Sequence, residues 1–302
     1  MKQGVLYAIL AYLSWGLLPM YWKLFESMGA LEILAHRIVW SLVFVLIIIV
    51  ITKRWRSLWG AAPGKKVKGA LLLCSLLISG NWLLYIWAVN HDQVMETSLG
   101  YYMNPLISVL LGVVFLKEKL RAVQWGALAM AAAGVLFITV QYDQMPWTAL
   151  LLALTFAFYG LAKKVVNLEA MFGLAWETVF VAPIALIYLL MIHANGTETA
   201  FAMEWWRIVL LLLVGVGTAM PLYWFAQATK RLPLSTLGFI QYLSPTIQLL
   251  SAVFLFGEPF TTTHLVSFAL IWGALILFTA SSIWKKSVAV PLNSDLVIKK
   301  QA

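Results

Sequence analysis

The sequence predicts an all-α membrane protein of ten transmembrane helices, arranged as two inverted five-helix repeats. Three observations carry that prediction. First, 63% of the residues are hydrophobic and only 11% are charged, against roughly 25% charged in a soluble domain. Too little polar surface is left to face water, so lipid must be the solvent. Second, ten apolar runs of spanning length follow one another, with basic residues in alternate links. Third, the chain repeats itself at an offset near 140 residues.

A spanning helix needs about 20 mostly apolar residues. The first span, 4–24, follows Met1-Lys2-Gln3 and runs apolar as far as Lys23, longer than the apolar core of a leader, so a span and not a cleaved leader is expected. The second, 34–52, holds the unbroken run Val43 to Ile51, which lacks the alternation of a barrel strand. The third and fourth, 69–89 and 95–116, carry most of the polar groups. The fifth, 122–141, contains the small-residue run Gly126 to Gly134, a close-packing face. The sixth to tenth follow at 147–163, 172–192, 206–226, 235–256 and 264–284.

The links set the orientation. With the N-terminus in the cytoplasm, the inner links and termini hold 18 of the 21 basic residues, among them Lys53, Arg54, Arg56, Lys65, Lys66 and Lys68. Only Lys23, Arg37 and Arg207 fall outside. This satisfies the positive-inside rule and predicts a multi-pass membrane protein with both termini cytoplasmic. The same clustering argues against nucleic acid as the partner of the +9 net charge, because the bases form short loop clusters and no basic face. The single cysteine, Cys74, cannot form an intrachain disulfide and reads as a packed small hydrophobe.

The repeat is visible residue by residue. Leu84-Tyr85-Ile86-Trp87-Ala88 matches Leu222-Tyr223-Trp224-Phe225-Ala226 at an offset of 138. Tyr102, Pro105, Ile107, Leu110 and Glu118 recur as Tyr242, Pro245, Ile247, Leu250 and Glu258 at 140. Tyr12 to Gly16 resembles Phe156 to Gly160 more faintly. The halves are placed at 1–143 and 144–286, with 287–302 as a cytoplasmic tail. Five spans per half is odd, so the second half lies inverted in the membrane. Inverted repeats are the architecture of alternating-access transporters, with the site at the repeat interface near the midplane. A duplicated membrane protein that does not transport is the competing reading.

Polar groups inside lipid are costly unless partnered. Tyr101, Asn104 and Ser108 share one face of the fourth span, and Gln241, Ser244 and Gln248 share one face of the ninth. Each stripe flanks a proline, Pro105 or Pro245, expected to kink its helix and free a carbonyl. Asn81 and Tyr85 in the third span and Tyr223 in the eighth complete the candidate substrate-binding set. Lining a cavity and gluing helices together are the two roles open to these groups. Lys23, His36, Arg37 and Glu177 are the gating or coupling candidates, with snorkelling or ion pairing as the bland alternative. Lys163 or Lys164 is the expected partner of Glu177, and Glu26, Glu32, Asp92 or Glu96 that of Arg37. No HExxH, GxSxG, Walker loop or Cys/His ligand set occurs, so no enzyme, cofactor or metal is expected. The partners expected are a small-molecule substrate and the lipid bilayer.

His36-Arg37-Ile38-Val39-Trp40-Ser41, Asn81 to Asn90, Ser98 to Leu106 and Gln241 to Thr246 resemble the RarD-type permeases of the EamA group, within the drug/metabolite transporter superfamily. The resemblance spans about residues 3–285. It implies a bacterial inner-membrane protein with two EamA-type repeats, and secondary transport, often export, of amino acids, related metabolites or drugs. The first-helix glutamate of the small four-helix multidrug members has no counterpart here, since the first acid is Glu26.

Overall fold

The computed structural model describes residues 2–25, 27–60, 63–91, 93–140, 145–166, 168–200, 203–256 and 261–288. Those residues are helical apart from short connections: α1 Lys2–Trp22, α2 Ala30–Ile51, α3 Trp55–Gly60, α4 Lys65–Asn90, α5 Val94–Phe115 and α6 Ala122–Thr139 in the first half. The second half holds α7 Trp147–Val165, α8 Ala170–Ala194, α9 Trp205–Arg231, α10 Leu234–Gln241, α11 Leu243–Phe256 and α12 Thr262–Val288. Ten candidate spans result, with α10 and α11 forming one of them. Several helices outrun their apolar cores, because Lys65 to Lys68 and Thr229 to Arg231 continue a helical turn into polar surroundings. The short α3 lies in the basic link after α2, where hydropathy carries no signal. The junction at 141–144 and the tail from 289 lie outside the described residues.

The helices pack between halves more than within them. Helix α1 lies against α9, α10 and α11, and its repeat counterpart α7 lies against α4 and α5. Helix α2 packs on α9 as α8 packs on α4. The pairs α2–α8, α5–α10 and α6–α12 each bring a helix against its own counterpart. The principal contacts therefore have mates under exchange of the halves, as a pseudo-two-fold axis between inverted repeats requires.

Small residues allow these approaches. On α6, Ala127, Ala131 and Gly134 are buried against Ile271 and Ala274 of α12. A Cβ on Gly134 would meet the Ser267 carbonyl at 2.9 Å. Gly215 on α9 is tighter still, since a Cβ there would lie 2.2 Å from the Trp40 carbonyl oxygen. The opposite faces carry large apolar side chains outward: Ile184 is 70% and Ile276 69% exposed. In water such a surface would be untenable, and in hydrocarbon it is the solvated one.

The two prolines behave differently. Pro245 cannot donate to the Gln241 carbonyl, and the ninth span breaks there: α10 ends at Gln241, and Tyr242 N–H turns back to Phe239 O at 3.3 Å. Helix α5 runs unbroken through Pro105. There Gly238 packs directly on the proline, so close that a Cβ would meet Pro105 O at 2.7 Å. The two matching prolines thus interrupt the helix on one side only.

Candidate functional site

A cavity of about 100 Å³ opens between α1, α2, α4, α5, α7, α10 and α11. Each helix contributes from the same end of the bundle. Helix α1 supplies Tyr12 to Trp22 from its C-terminal half, α2 supplies Arg37 two turns from its start, and α11 supplies Ser244 and Gln248. The cavity therefore runs from mid-bundle toward the end that carries the α1–α2 and α4–α5 links.

Seven of the nine binding candidates line it: Asn81, Tyr85, Tyr101, Asn104, Gln241, Ser244 and Gln248. The two stripes meet there. Gln241 Nε2 donates to Asn104 Oδ1 at 2.6 Å, while Asn104 Nδ2 donates to Ala153 O at 2.9 Å. Asn81 Nδ2 bridges to α7 through Leu152 O and Thr155 Oγ1, both at 2.8 Å. Asn81, Asn104 and Gln241 thus fix helices and form polar wall together. Tyr85 and Tyr101 stand ring to ring at 6.0 Å. Among the described residues Gln248 makes one side-chain hydrogen bond, a long one to Trp15 O at 3.4 Å, so its amide is freer than those of Asn81, Asn104 and Gln241.

Ser108 and Tyr223 are not among the lining residues. Ser108 Oγ donates to Asn104 Oδ1 at 3.2 Å from the packed side. Tyr223 accepts from Gln227 Nε2 at 2.9 Å and packs against the core at the other end. The apolar walls went unassigned in the sequence: Trp15 of α1 meets Phe156 of α7 edge-on at 5.4 Å. Their only signal was the faint match of Tyr12–Gly16 with Phe156–Gly160, which marks α1 and α7 as counterparts facing one another.

The other end is sealed. Phe225 stacks on Tyr159 at 5.8 Å and meets Tyr12 at 6.2 Å and Phe156 at 5.6 Å. Behind these rings Lys163 Nζ lies 2.6 Å from Glu177 Oε1, with both side chains only 4% exposed. Lys164 donates to the Thr229 and Leu232 carbonyls that end α9. Glu118 accepts from the Leu234 and Ser235 amides at the start of α10, tying the first half to the second. Outside the spans, Arg54 and Glu169 form a two-pronged ion pair between halves. The carboxylate holds the guanidinium charged, above its ordinary range, but the pair is solvent-exposed and contributes little to stability.

Of the gating candidates, Arg37 lines the cavity, its guanidinium 4.5 Å from the Trp22 ring and 4.3 Å from the Trp82 ring. His36 is buried beside it and accepts at Nδ1 from Trp40 Nε1 at 3.3 Å. Glu32, one turn before, accepts from the Thr199 and Ala200 amides at 3.0 Å each and from Thr199 Oγ1 at 2.8 Å, pinning α2 to the α8–α9 link. Glu198 joins Glu32 and His36, with donor atoms within 4.8 Å of one another, but its carboxylate is already engaged by His193 at 2.7 Å. The sequence reading missed this cluster because its members are far apart in the chain. Lys23 falls in the 3₁₀ turn Lys23–Phe25 after α1, and its side chain lies outside the described residues.

Known proteins complete the picture. The model of the EamA-like transporter family matches residues 2–140 and again 145–280. The chain is 48% identical over 290 residues to the uncharacterized transporter YojE of Bacillus subtilis, covering 95% of this chain and 97% of that one. It is 41% identical over 283 residues to Protein RarD of Escherichia coli, covering 94% and 96%. A solved protein structure superposes with a TM-score of 0.69 at 18% identity, over 93% of this chain and 98% of the other, and shares the fold. The polar cavity between two duplicated halves, a double family match and near-full-length relatives agree: this chain is a membrane transporter of the EamA-like family, close to the RarD proteins.

Proposed function

We propose that the chain is a secondary transporter, working as an exporter of small amphipathic metabolites such as amino acids or related compounds and drugs, by alternating access. The observation that supports this best is the one-sided cavity at the interface of the halves: polar and aromatic toward one end, sealed by rings and the Lys163–Glu177 pair toward the other. Under the positive-inside orientation, with both termini cytoplasmic and the protein in the bacterial inner membrane, the open end faces out. Exchange of the two halves' roles would seal that end and open the cytoplasmic one, because the principal interhelical contacts have mates. Export is what the resemblance to the RarD-type permeases implies, and the arrangement of the halves supports a two-state cycle.

In this reading Asn81, Tyr85, Tyr101, Asn104, Gln241, Ser244 and Gln248 contact the solute. Glu177 with Lys163 closes the cytoplasmic side. Glu32 and His36 hold the outer end of α2. The two transport units divide at 143/144, with 287–302 as a cytoplasmic tail. The test is a comparison of medium metabolites from overexpressing and deletion strains, followed by counterflow in proteoliposomes with each solute enriched by overexpression. Enrichment plus counterflow supports the reading. Identical media and no counterflow would make the chain a structural membrane protein.

A further inference from the structure

Arg37 is a cation within a spanning helix, and among the described residues no carboxylate pairs with it. Two acids placed near it by sequence are engaged elsewhere: Glu32 with Thr199 and Ala200, and Glu96 with the Thr148 amide at 3.1 Å. Glu26 and Asp92 lie outside the described residues. Among the described residues its one hydrogen bond runs from Nε to Thr218 Oγ1, 3.3 Å. Trp22 and Trp82 cover the faces of the guanidinium. Indole faces attract a cation, yet they accept nothing from the N–H groups along its edge. Among the described residues the terminal N–H groups thus have no partner, and they are available to whatever enters the cavity that Arg37 lines.

We infer that Arg37 is the anion pole of this cavity and that the solute is a small organic carboxylate, either a simple anion or the zwitterion of an amino acid. The inference rests on the transport reading of the cavity and names its substrate class. A planar fork of N–H donors matches a carboxylate two bonds at a time, which a lysine cannot do. The two indoles hold the plane of that fork. Trp15 and Phe156 offer the apolar wall for the remainder of the solute, and Gln248 offers an amide for an ammonium or hydroxyl.

The repeat points the same way. Arg37 and Glu177 are 140 residues apart, the offset that relates the stripes, and their helices begin at Ala30 and Ala170. At the sealed end the charge on Glu177 is met by Lys163. At the open end the charge on Arg37 awaits a counter-charge, which the solute supplies. Closing the cavity over Arg37 strips away water, so a bound anion favours closure and an empty or cation-loaded site resists it.

The test uses the purified full chain in detergent and four probes on one skeleton: isovalerate, leucine, isovaleramide and isoamylamine. Binding is read by thermal unfolding and by equilibrium dialysis. Isovalerate, leucine or both should bind saturably and raise the unfolding midpoint, while the neutral amide and the cationic amine should not. Arg37→Gln should weaken carboxylate binding by roughly tenfold or more, Arg37→Lys should lie between, and Thr218→Val, which removes only a neutral neighbour, should retain the preference. The proposal is overturned if amide binds as well as carboxylate, if amine is preferred, if Arg37→Gln binds isovalerate unchanged, or if none of the four binds. Should Arg37→Gln fail to fold, the wild-type panel and Arg37→Lys decide the matter. Thiol labelling of the cavity separates the two readings: a labelled cavity that ignores carboxylates sinks the anion pole alone, whereas a cavity closed to both sides sinks transport with it.

Discussion

Gln241 Nε2 donates to Asn104 Oδ1 at 2.6 Å, joining the ninth span to the fourth at the wall of the cavity. The two residues lie 137 positions apart, on the stripes that the sequence repeat relates. One bond therefore does two things: it staples the halves and it sets the polar floor on which a solute would rest. Interhelical hydrogen bonds of this kind contribute about 0.6–1.7 kcal/mol. A double-mutant cycle of Asn104→Ala and Gln241→Ala, read by denaturant unfolding in detergent, should return a coupling energy in that range. Additive losses would show that the bond carries no energy.

The Lys163–Glu177 pair is buried on both sides. Breaking one partner leaves a charge uncompensated, a loss of about 3–5 kcal/mol, while replacing both by apolar groups is often neutral. Lys163→Met should lower the unfolding midpoint strongly, and Lys163→Met/Glu177→Leu should recover most of it. Glu177→Gln should be milder, because the amide oxygen can still accept from Lys163 Nζ, and should leave transport largely intact. Loss of transport and of its pH dependence in a well-folded Glu177→Gln protein would instead make Glu177 the coupling residue.

Close packing separates two glycines. A methyl group on Gly215 would meet the Trp40 backbone, which cannot yield, whereas one on Gly273 would meet the flexible end of Met130 at 2.3 Å. Gly215→Ala should reduce the yield of folded protein sharply. Gly273→Ala should be tolerated, with Met130 choosing another rotamer. Equal yields for both variants would refute the α2–α9 contact as drawn.

Orientation is open to a direct check. Reporter fusions after Arg121 and after Trp284 should read cytoplasmic, and one after Thr197 should read periplasmic. A periplasmic signal after Trp284 would refute the ten-span arrangement.

The fold was legible because membrane solvation writes it plainly. Every stretch that crosses must be apolar and about 20 residues long, and inner links must be basic. The polar wall was legible for the same reason, since Asn81, Asn104 and Gln241 are conspicuous where lipid forbids unpaired amides. Ser108 and Tyr223 show the limit. They share a face and a repeat match with true wall residues, but the cavity occupies only one end of the bundle, and a symmetric sequence cannot say which. Trp15, Trp82 and Phe156 went unassigned because aromatic residues are ordinary in a spanning helix. Arg37 looked like a residue at the membrane edge; the two indoles that flank it come from the end of α1 and from within α4, a contact that no local pattern announces.

The central claim is a cavity open to one side of the membrane and sealed from the other. Labelling with a membrane-impermeant thiol reagent tests it most directly. The native Cys74 is fully buried, so the unmodified chain serves as the blank. In intact cells Gln248→Cys and Tyr85→Cys should react from outside, while Tyr223→Cys, beyond the ring seal, should not. A solute that is carried should slow the first two. If Gln248→Cys and Tyr85→Cys stay unlabelled from both sides with and without solute, or if Tyr223→Cys reacts from outside as readily as they do, the one-sided cavity is not a transport pathway and the account is wrong.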